Sequence, residues 1–219
     1  FCMRLAKAMN LPAPSCKILT LEKISYYCVT RFDRQVSDGQ ISRLHQEDFC
    51  QLFSVDPEKK YENEGGPTIP ACFQLIKKMR IGTVGQIDFV RRIIFNVLIG
   101  NGDAHAKNFS VLYHGKRMQL APVYDLLSTE IYDALAHETA MSIGGEMAFA
   151  RITRKSFVQM AKECKFRPEL ALTLIDEMLE KIIDVSKSLA AELNQQYPSP
   201  AYGAICRIIE CQASRLSVK

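Results

Sequence analysis

The chain has 219 residues, 47% of them hydrophobic and 24% charged. This is a globular balance, too apolar for disorder and long enough to bury a core without disulfide staples. No stretch reaches about 18 uncharged apolar residues, which excludes a transmembrane helix. Lys and Arg number 28 against 24 Asp and Glu, and the resulting charge of +4 does not by itself indicate nucleic-acid binding. The start, Phe1-Cys2-Met3-Arg4, has no basic region followed by an apolar core, so no signal peptide is read. It also lacks an initiator Met, and a fragment is expected. The eight cysteines include no C-x-x-C pair and sit among apolar neighbours, as expected of reduced, packed thiols in a cytoplasmic protein.

In chain order, residues 2–9 read as a helix end broken by Pro12 and Pro14. Lys17–Leu21 and Ser25–Phe32 are rich in Ile, Tyr, Val and Thr and predict a hairpin. Residues 33–45 read as a polar loop, 46–53 as a short helix, and 54–68 as an irregular segment with Pro57, Gly65, Gly66 and Pro67. Within it, Lys60, Tyr61 and the acidic run Glu62–Glu64 read as an exposed loop or a protein-substrate surface. A helix starts at Pro70. Thr83 and Gln86 have capping-box spacing, so another is expected to begin near Val84. Its apolar residues Ile87, Val90, Ile93, Ile94, Val97 and Leu98 repeat at helical spacing and leave Arg91 and Arg92 for the remaining face, as solvated groups or internal ion-pair partners. Gly100 stops it. Phe109–Tyr113 and Arg117–Leu120 read as a hairpin around His114–Gly115. Gly144–Gly145 reads as a turn. The remainder is helical, with a stripe at Leu172, Ile175, Leu179, Ile182, Leu189 and Leu193, and a last helix after Pro200. The fold class is α+β, mostly helical with small hairpins.

The chemistry concentrates in Asn101-Gly102-Asp103-Ala104-His105-Ala106-Lys107-Asn108, a polar loop between a buried helix and a hairpin. Asp125 follows where the hairpin returns. Phosphoryl transfer has a use for this order: one carboxylate orients an attacking hydroxyl and takes its proton, while a carboxamide oxygen and a second carboxylate suit Mg²⁺, a hard ion that prefers oxygen. Asp103 fits the first part, Asn108 and Asp125 the second. Lys107 would offset phosphoryl charge or pair with Asp103, and His105 would donate to phosphate or brace the loop. The three oxygen-bearing side chains are expected to share one pocket. Asp and Asn also cap backbone groups in ordinary tight loops, so the spacing alone leaves a structural loop open.

Gly-Asn-Gly-Asp-Ala-His-Ala-Lys-Asn-Phe-Ser (100–110) and Leu-Ala-Pro-Val-Tyr-Asp-Leu-Leu-Ser-Thr (120–129) resemble the HipA family of bacterial toxin kinases. So do Val-Thr-Arg-Phe-Asp-Arg (29–34), His-Gln-Glu-Asp-Phe-Cys-Gln (45–51) and Lys-Tyr-Glu-Asn-Glu-Gly-Gly-Pro (60–67), in the family's order. The resemblance implies an ATP-dependent serine/threonine protein kinase with a two-lobed, protein-kinase-like fold. Residues 1–33 would be the end of the N-terminal lobe and hinge, a short hairpin remnant, and 34–219 the helical C-terminal lobe. Asp103 would be the catalytic base and Asn108 and Asp125 the Mg²⁺ ligands. Thr30, Arg31 and Phe32 would meet the adenine, largely through backbone groups. His105 and Lys107 would lie near the phosphates, and Tyr124-Asp125-Leu126 would stand where other kinases carry Asp-Phe-Gly. It further implies a toxin–antitoxin module with a helix-turn-helix antitoxin, DNA contact only through that antitoxin, no membrane, and protein substrates such as aminoacyl-tRNA synthetases, with arrested translation as the outcome.

The family's Gly-rich loop and ATP-pairing Lys do not occur in this sequence, and their absence sets up the expectation that an upstream segment is removed, disordered or supplied by another polypeptide. Two rival readings stand beside the kinase. One is a non-catalytic, repressor-binding scaffold with a relic nucleotide site. The other is a metallophosphoesterase, since Gly102-Asp103-x-His105 resembles the opening of two-metal phosphatases, although here it follows a helix.

Overall fold

A computed structural model describes residues 1–218; Lys219, the last residue of the lobe expected over 34–219, lies outside the described residues. The elements run α1 (Cys2–Ala8), β1 (Cys16–Leu21), β2 (Ile24–Val29), β3 (Arg34–Ser37), β4 (Gln40–Arg43), β5 (His45–Asp48), α2 (Phe49–Leu52), α3 (Ile69–Lys78) and α4 (Gly82–Leu98). They continue with β6 (Ser110–His114), β7 (Arg117–Leu120), β8 (Glu138–Ile143), β9 (Glu146–Ala148), α5 (Arg154–Glu163), α6 (Pro168–Gln196) and α7 (Pro200–Ser217). The strands form three separate antiparallel hairpins, β1–β2, β3–β4 and β8–β9, and one three-stranded sheet in the order β5-β6-β7.

The buried helix α4 is the axis of the core, packed against α3, α6 and α7. Around its Phe89 gather Phe49, Phe73 and Phe109, with ring centroids 5.9, 6.3 and 5.2 Å away. This cluster joins α2, α3 and α4 to the residue directly after Asn108, so the polar loop is tied at its far end to the best-packed part of the molecule. At its near end a Schellman motif closes α4. Gly100 adopts a left-handed φ of 65°, its N–H donates to Val97 O at 3.1 Å, and Asn101 N–H donates to Asn96 O at 2.9 Å. A side chain at Gly100 would also meet Glu130 and Ile208 atoms at 2.7 Å, so glycine is required twice over.

Several expectations are corrected. Residues 33–45 are not a loop: they hold β3, β4 and the start of β5, whose pairing with β6 (His45 opposite Tyr113, Asp48 opposite Ser110) depends on a partner more than 60 residues away. The helix of residues 46–53 is only α2, capped by an Asp48–Gln51 capping box. The α4 helix begins at Gly82 rather than near Val84, because Arg80 and Gly82 take left-handed φ values of 56° and 76° and restart the helix at once. Of the two readings of Arg92, the internal ion-pair partner holds and the solvated face does not. The side chain is buried, with Nη2 donating to Asp88 Oδ2 at 2.5 Å and Nη1 to Ala121 O at 2.6 Å. The buried seam of α6 runs through Ala171, Leu174, Ile175, Met178 and Ile182, and Leu172, Leu179 and Leu189 flank it, because both α5 and α7 pack on this helix and widen its covered surface. All eight cysteines are free thiols. Among the described residues no helix is long and apolar enough to cross a membrane.

Candidate active site

The loop between α4 and β6 is built from backbone bonds and amide side chains. Asn96 donates to Arg92 O at 3.0 Å and accepts from Asn101 Nδ2 at 2.8 Å. Asn101 Oδ1 in turn accepts from Asp103 N–H at 3.1 Å. Gly102 donates its N–H to Thr129 Oγ1 at 2.7 Å, and a Cβ there would lie 2.6 Å from Glu138 O and 2.9 Å from Thr129 Oγ1. Glycine at 102 therefore lets the loop lie against the 129–138 segment. Asn108 closes the loop by donating its amide to Asp103 O at 2.7 Å. With the nitrogen so engaged, Asn108 Oδ1 is the atom left for a ligand.

Asn108, Tyr124 and Asp125 line one small cavity of about 10 Å³, floored by Arg92, Asn96 and Asn101. Asp103 faces elsewhere. It lines a cleft of about 500 Å³ with Tyr61, Gly102, Leu127, Thr129, Leu135, Glu138 and Met147. The expected single pocket is thus two neighbouring spaces divided by the loop itself, with Asn108 as the bond between them. Both spaces are lined by the loop: Gly102 and Asp103 on the cleft, Asn101, Ala104 and Asn108 on the small cavity. Asp125 has a left-handed φ of 56°, a conformation that Asp tolerates better than branched residues. Tyr124, just before it, donates its hydroxyl to Lys107 O at 2.6 Å and lies in a very short hydrogen bond with Ser110 Oγ. Burial pushes its phenol well above the usual range.

His105 is buried, its Nε2 3.5 Å from Asp103 Oδ1, with its ring centroid 5.3 Å from that of Tyr61. Burial lowers its pKa, and the charge of Asp103 works against that shift more strongly than that of Asp125. The ring packs between Asp103 and Tyr61. Lys107 is half-buried, and the cation within 4.0 Å of Asp103 is Lys60 instead. Phe32 reaches the site, its ring 5.9 Å from that of Tyr124. Thr30 N–H donates to Ser15 O at 2.9 Å, so that donor is already engaged. Arg31 turns to the buried Asp33, with Nε and Nη2 donating to its two oxygens at 2.8 and 2.6 Å, and Arg34 adds a third bond at 2.5 Å.

Asp33 carries a pH prediction. Its hydrogen bonds to Arg31, helped by Arg34, hold its carboxyl down to about 2 from an ordinary 3.8. A folded-state pKa below the unfolded one stabilises the fold above the unfolded pKa and loses that contribution as pH falls through the folded one. Asp33→Asn is expected to be less stable than the parent at pH 6, with the difference vanishing as the pH is lowered toward 2 in denaturant titrations.

Thr129 and Asn96 are residues around the loop that the sequence does not single out, and Lys60 and Tyr61, which read as an exposed loop or a protein-substrate surface, are not tied by it to Asp103, which lies 42 positions after Tyr61. His114 and His137 are engaged away from the loop, with Gln119 at 3.2 Å and Glu130 at 2.6 Å. Among the described residues no three His, Cys, Asp or Glu side chains gather as a metal site, so the two-metal phosphatase arrangement is not formed.

The fold is found in solved structures. The HipA toxin of Shewanella oneidensis MR-1, solved with HipB and its operator DNA, matches 99% of this chain and 54% of its own with a TM-score of 0.87 and 24% identity. The Helicobacter pylori proinflammatory kinase CtkA matches 98% of this chain and 81% of its own at a TM-score of 0.62 and 14% identity. The class is therefore an α+β, protein-kinase-like C-terminal lobe. The model of the HipA-like C-terminal domain matches residues 1–186, and the chain belongs to that family. A putative kinase, Y4mE of Sinorhizobium fredii, is 36% identical over 195 residues, 88% of this chain and 46% of its own length. The serine/threonine-protein kinase toxin HipA of Shewanella oneidensis is 32% identical over 157 residues, 66% of this chain and 36% of its own. The chain spans about half the length of the curated relatives it matches, or less.

Proposed function

We propose that this chain is the C-terminal lobe of an ATP-dependent serine/threonine protein kinase acting as the toxin of a toxin–antitoxin module. The observation that carries the reading is the placement of one carboxylate on an open cleft and of an amide oxygen with a second carboxylate on the other side of the same eight-residue loop. Residues 1–33 are assigned to the end of the N-terminal lobe and hinge, and 34–219 to the C-terminal lobe, with an upstream segment or separate polypeptide covering the phosphates.

In this reading Asp103 accepts the proton of a substrate serine or threonine as that oxygen bonds to the γ-phosphorus, the bond to the β-phosphate oxygen breaks, and ADP leaves. Asn108 Oδ1 and the Asp125 carboxylate would hold Mg²⁺. Both are hard oxygen donors on one cavity, and the amide's nitrogen is already fixed on Asp103 O. The ion would supply charge neutralisation on the phosphates. Tyr124 holds the 106–108 turn, Phe32 packs on Tyr124 beside the nucleotide, and His105 braces the base. Thr30 and the backbone of Arg31 border the adenine. Lys107 lies at the phosphate side.

Support for an antitoxin partner comes from the Shewanella HipA complex, which contains HipB and operator DNA. A helix-turn-helix antitoxin that mediates any DNA contact, and a protein substrate of the aminoacyl-tRNA synthetase kind, complete the proposal. The test is transfer from radiolabelled ATP by the full-length protein, with a degenerate serine/threonine peptide library as acceptor. Labelled peptides are expected. No transfer under any Mg²⁺ concentration would leave the non-catalytic scaffold. Asp125→Asn keeps a residue that tolerates the left-handed backbone and removes the charge. It is expected to weaken Mg·ATP binding about tenfold by calorimetry. Equal affinity in the variant would remove Asp125 from the metal site.

A further inference from the structure

The Lys60-Tyr61-Glu62 run does not lie on the surface as a loose loop. Glu62 accepts from the Ser142 N–H and from the Ser142 hydroxyl on β8, both at 2.7 Å, which pins the segment to that strand. Gly66 N–H donates to Tyr61 O at 2.8 Å, and a Cβ on Gly66 would lie 2.7 Å from that oxygen and 2.8 Å from Lys59 O. The segment is therefore folded tightly on itself and anchored at both ends of its turn. Tyr61 leaves it pointing inward. Its hydroxyl donates to Asp103 Oδ1 at 2.5 Å, and its ring meets the His105 ring edge to face at 80°.

The distribution of partners on Asp103 is one-sided. Tyr61 Oη at 2.5 Å, His105 Nε2 at 3.5 Å and Lys60 Nζ at 4.0 Å all address Oδ1. Among the described residues no hydrogen bond goes to Oδ2. A carboxylate tied through one oxygen has its rotation fixed while the other oxygen stays open to a hydroxyl arriving from the cleft that both Tyr61 and Asp103 line.

We infer that Tyr61 is a positioning residue for phosphoryl transfer, its clamped phenol holding Asp103 by Oδ1 so that Oδ2 receives the proton of the acceptor hydroxyl. The inference rests on the reading of Asp103 as the base. Burial, and then the bond to Asp103, push the phenol up to about 12, so it stays a donor throughout the neutral range. Lys60, 5.0 Å over the Tyr61 ring, helps hold the ring in place.

The test compares the full-length protein with Tyr61→Phe and Asp103→Asn, using radiolabelled ATP and a degenerate serine/threonine peptide library. Tyr61→Phe keeps the ring and its packing on His105. Its kcat is expected to fall about tenfold or more, the weight of one hydrogen bond to a charged group, with KM for ATP and the thermal midpoint unchanged. Unchanged or raised kcat in Tyr61→Phe, with Asp103→Asn inactive, overturns the inference and makes the phenol a bystander or an occupant of the acceptor's place. A fall in kcat that comes with a raised KM for ATP or a lowered midpoint also overturns it, in favour of a purely structural tyrosine. Full activity in Asp103→Asn defeats the base assignment itself.

Discussion

Asp103→Asn is expected to reduce phosphoryl transfer by about a thousandfold, the usual scale of a lost general base, while leaving nucleotide affinity untouched. The separation of the two spaces makes this a sharp expectation. Asp103 lines the open cleft, whereas the atoms assigned to the nucleotide side, on Asn108 and Asp125, line the small cavity behind the loop. Asparagine fills the same volume, and its carbonyl oxygen can still accept from Tyr61. Transfer rates and ATP calorimetry on the same preparation check it. A parallel loss of affinity would place Asp103 on the nucleotide and remove it as the base.

Arg92→Met is expected to destabilise the fold by about 3 kcal/mol, read as a lower denaturation midpoint. The guanidinium holds the Asp88 carboxylate, which is only 19% exposed, and the Ala121 carbonyl. Removing it leaves both without their partner in a place with little water. The double variant Arg92→Met with Asp88→Leu is expected to recover part of the loss, because an apolar pair leaves no stranded charge. A double variant less stable than the single one would contradict this account. The effect should extend to the site. Ala121 is the first residue after β7, its N–H donates to Ser110 O at 2.8 Å, and Arg92 lines the cavity of Asn108 and Asp125.

The helix before the loop was legible because Ile87 through Leu98 repeat at one period, and Gly100 marked its end by needing a left-handed φ. The order of Asp103, Asn108 and Asp125 supplied a chemistry to propose, since oxygen donors suit a hard ion and a carboxylate can take a proton, although the same residue types also cap tight loops. What was hidden is what depends on distant partners. The strands β3, β4 and β5 are short and polar, and β5 exists as a strand only because β6 supplies its ladder. For Arg92 the sequence leaves a solvated group and an internal ion-pair partner open, and the contacts to Asp88 and the Ala121 carbonyl decide between them. Tyr61 has no local signal at all for its contact with Asp103. The split of the site into two spaces is likewise a property of the backbone path and not of the residue types.

The close approach at Gly102 has a consequence for comparing descendants of this lobe. Its glycine answers to the Glu138 carbonyl and the Thr129 hydroxyl, neither of which takes part in the proposed transfer. A lineage that had lost phosphorylation but kept the architecture would still be forced to retain that glycine, whereas the partly exposed carboxylate next to it would be free to drift. Glycine at this position therefore testifies to shape alone, and only the neighbouring acid bears witness to surviving enzymology.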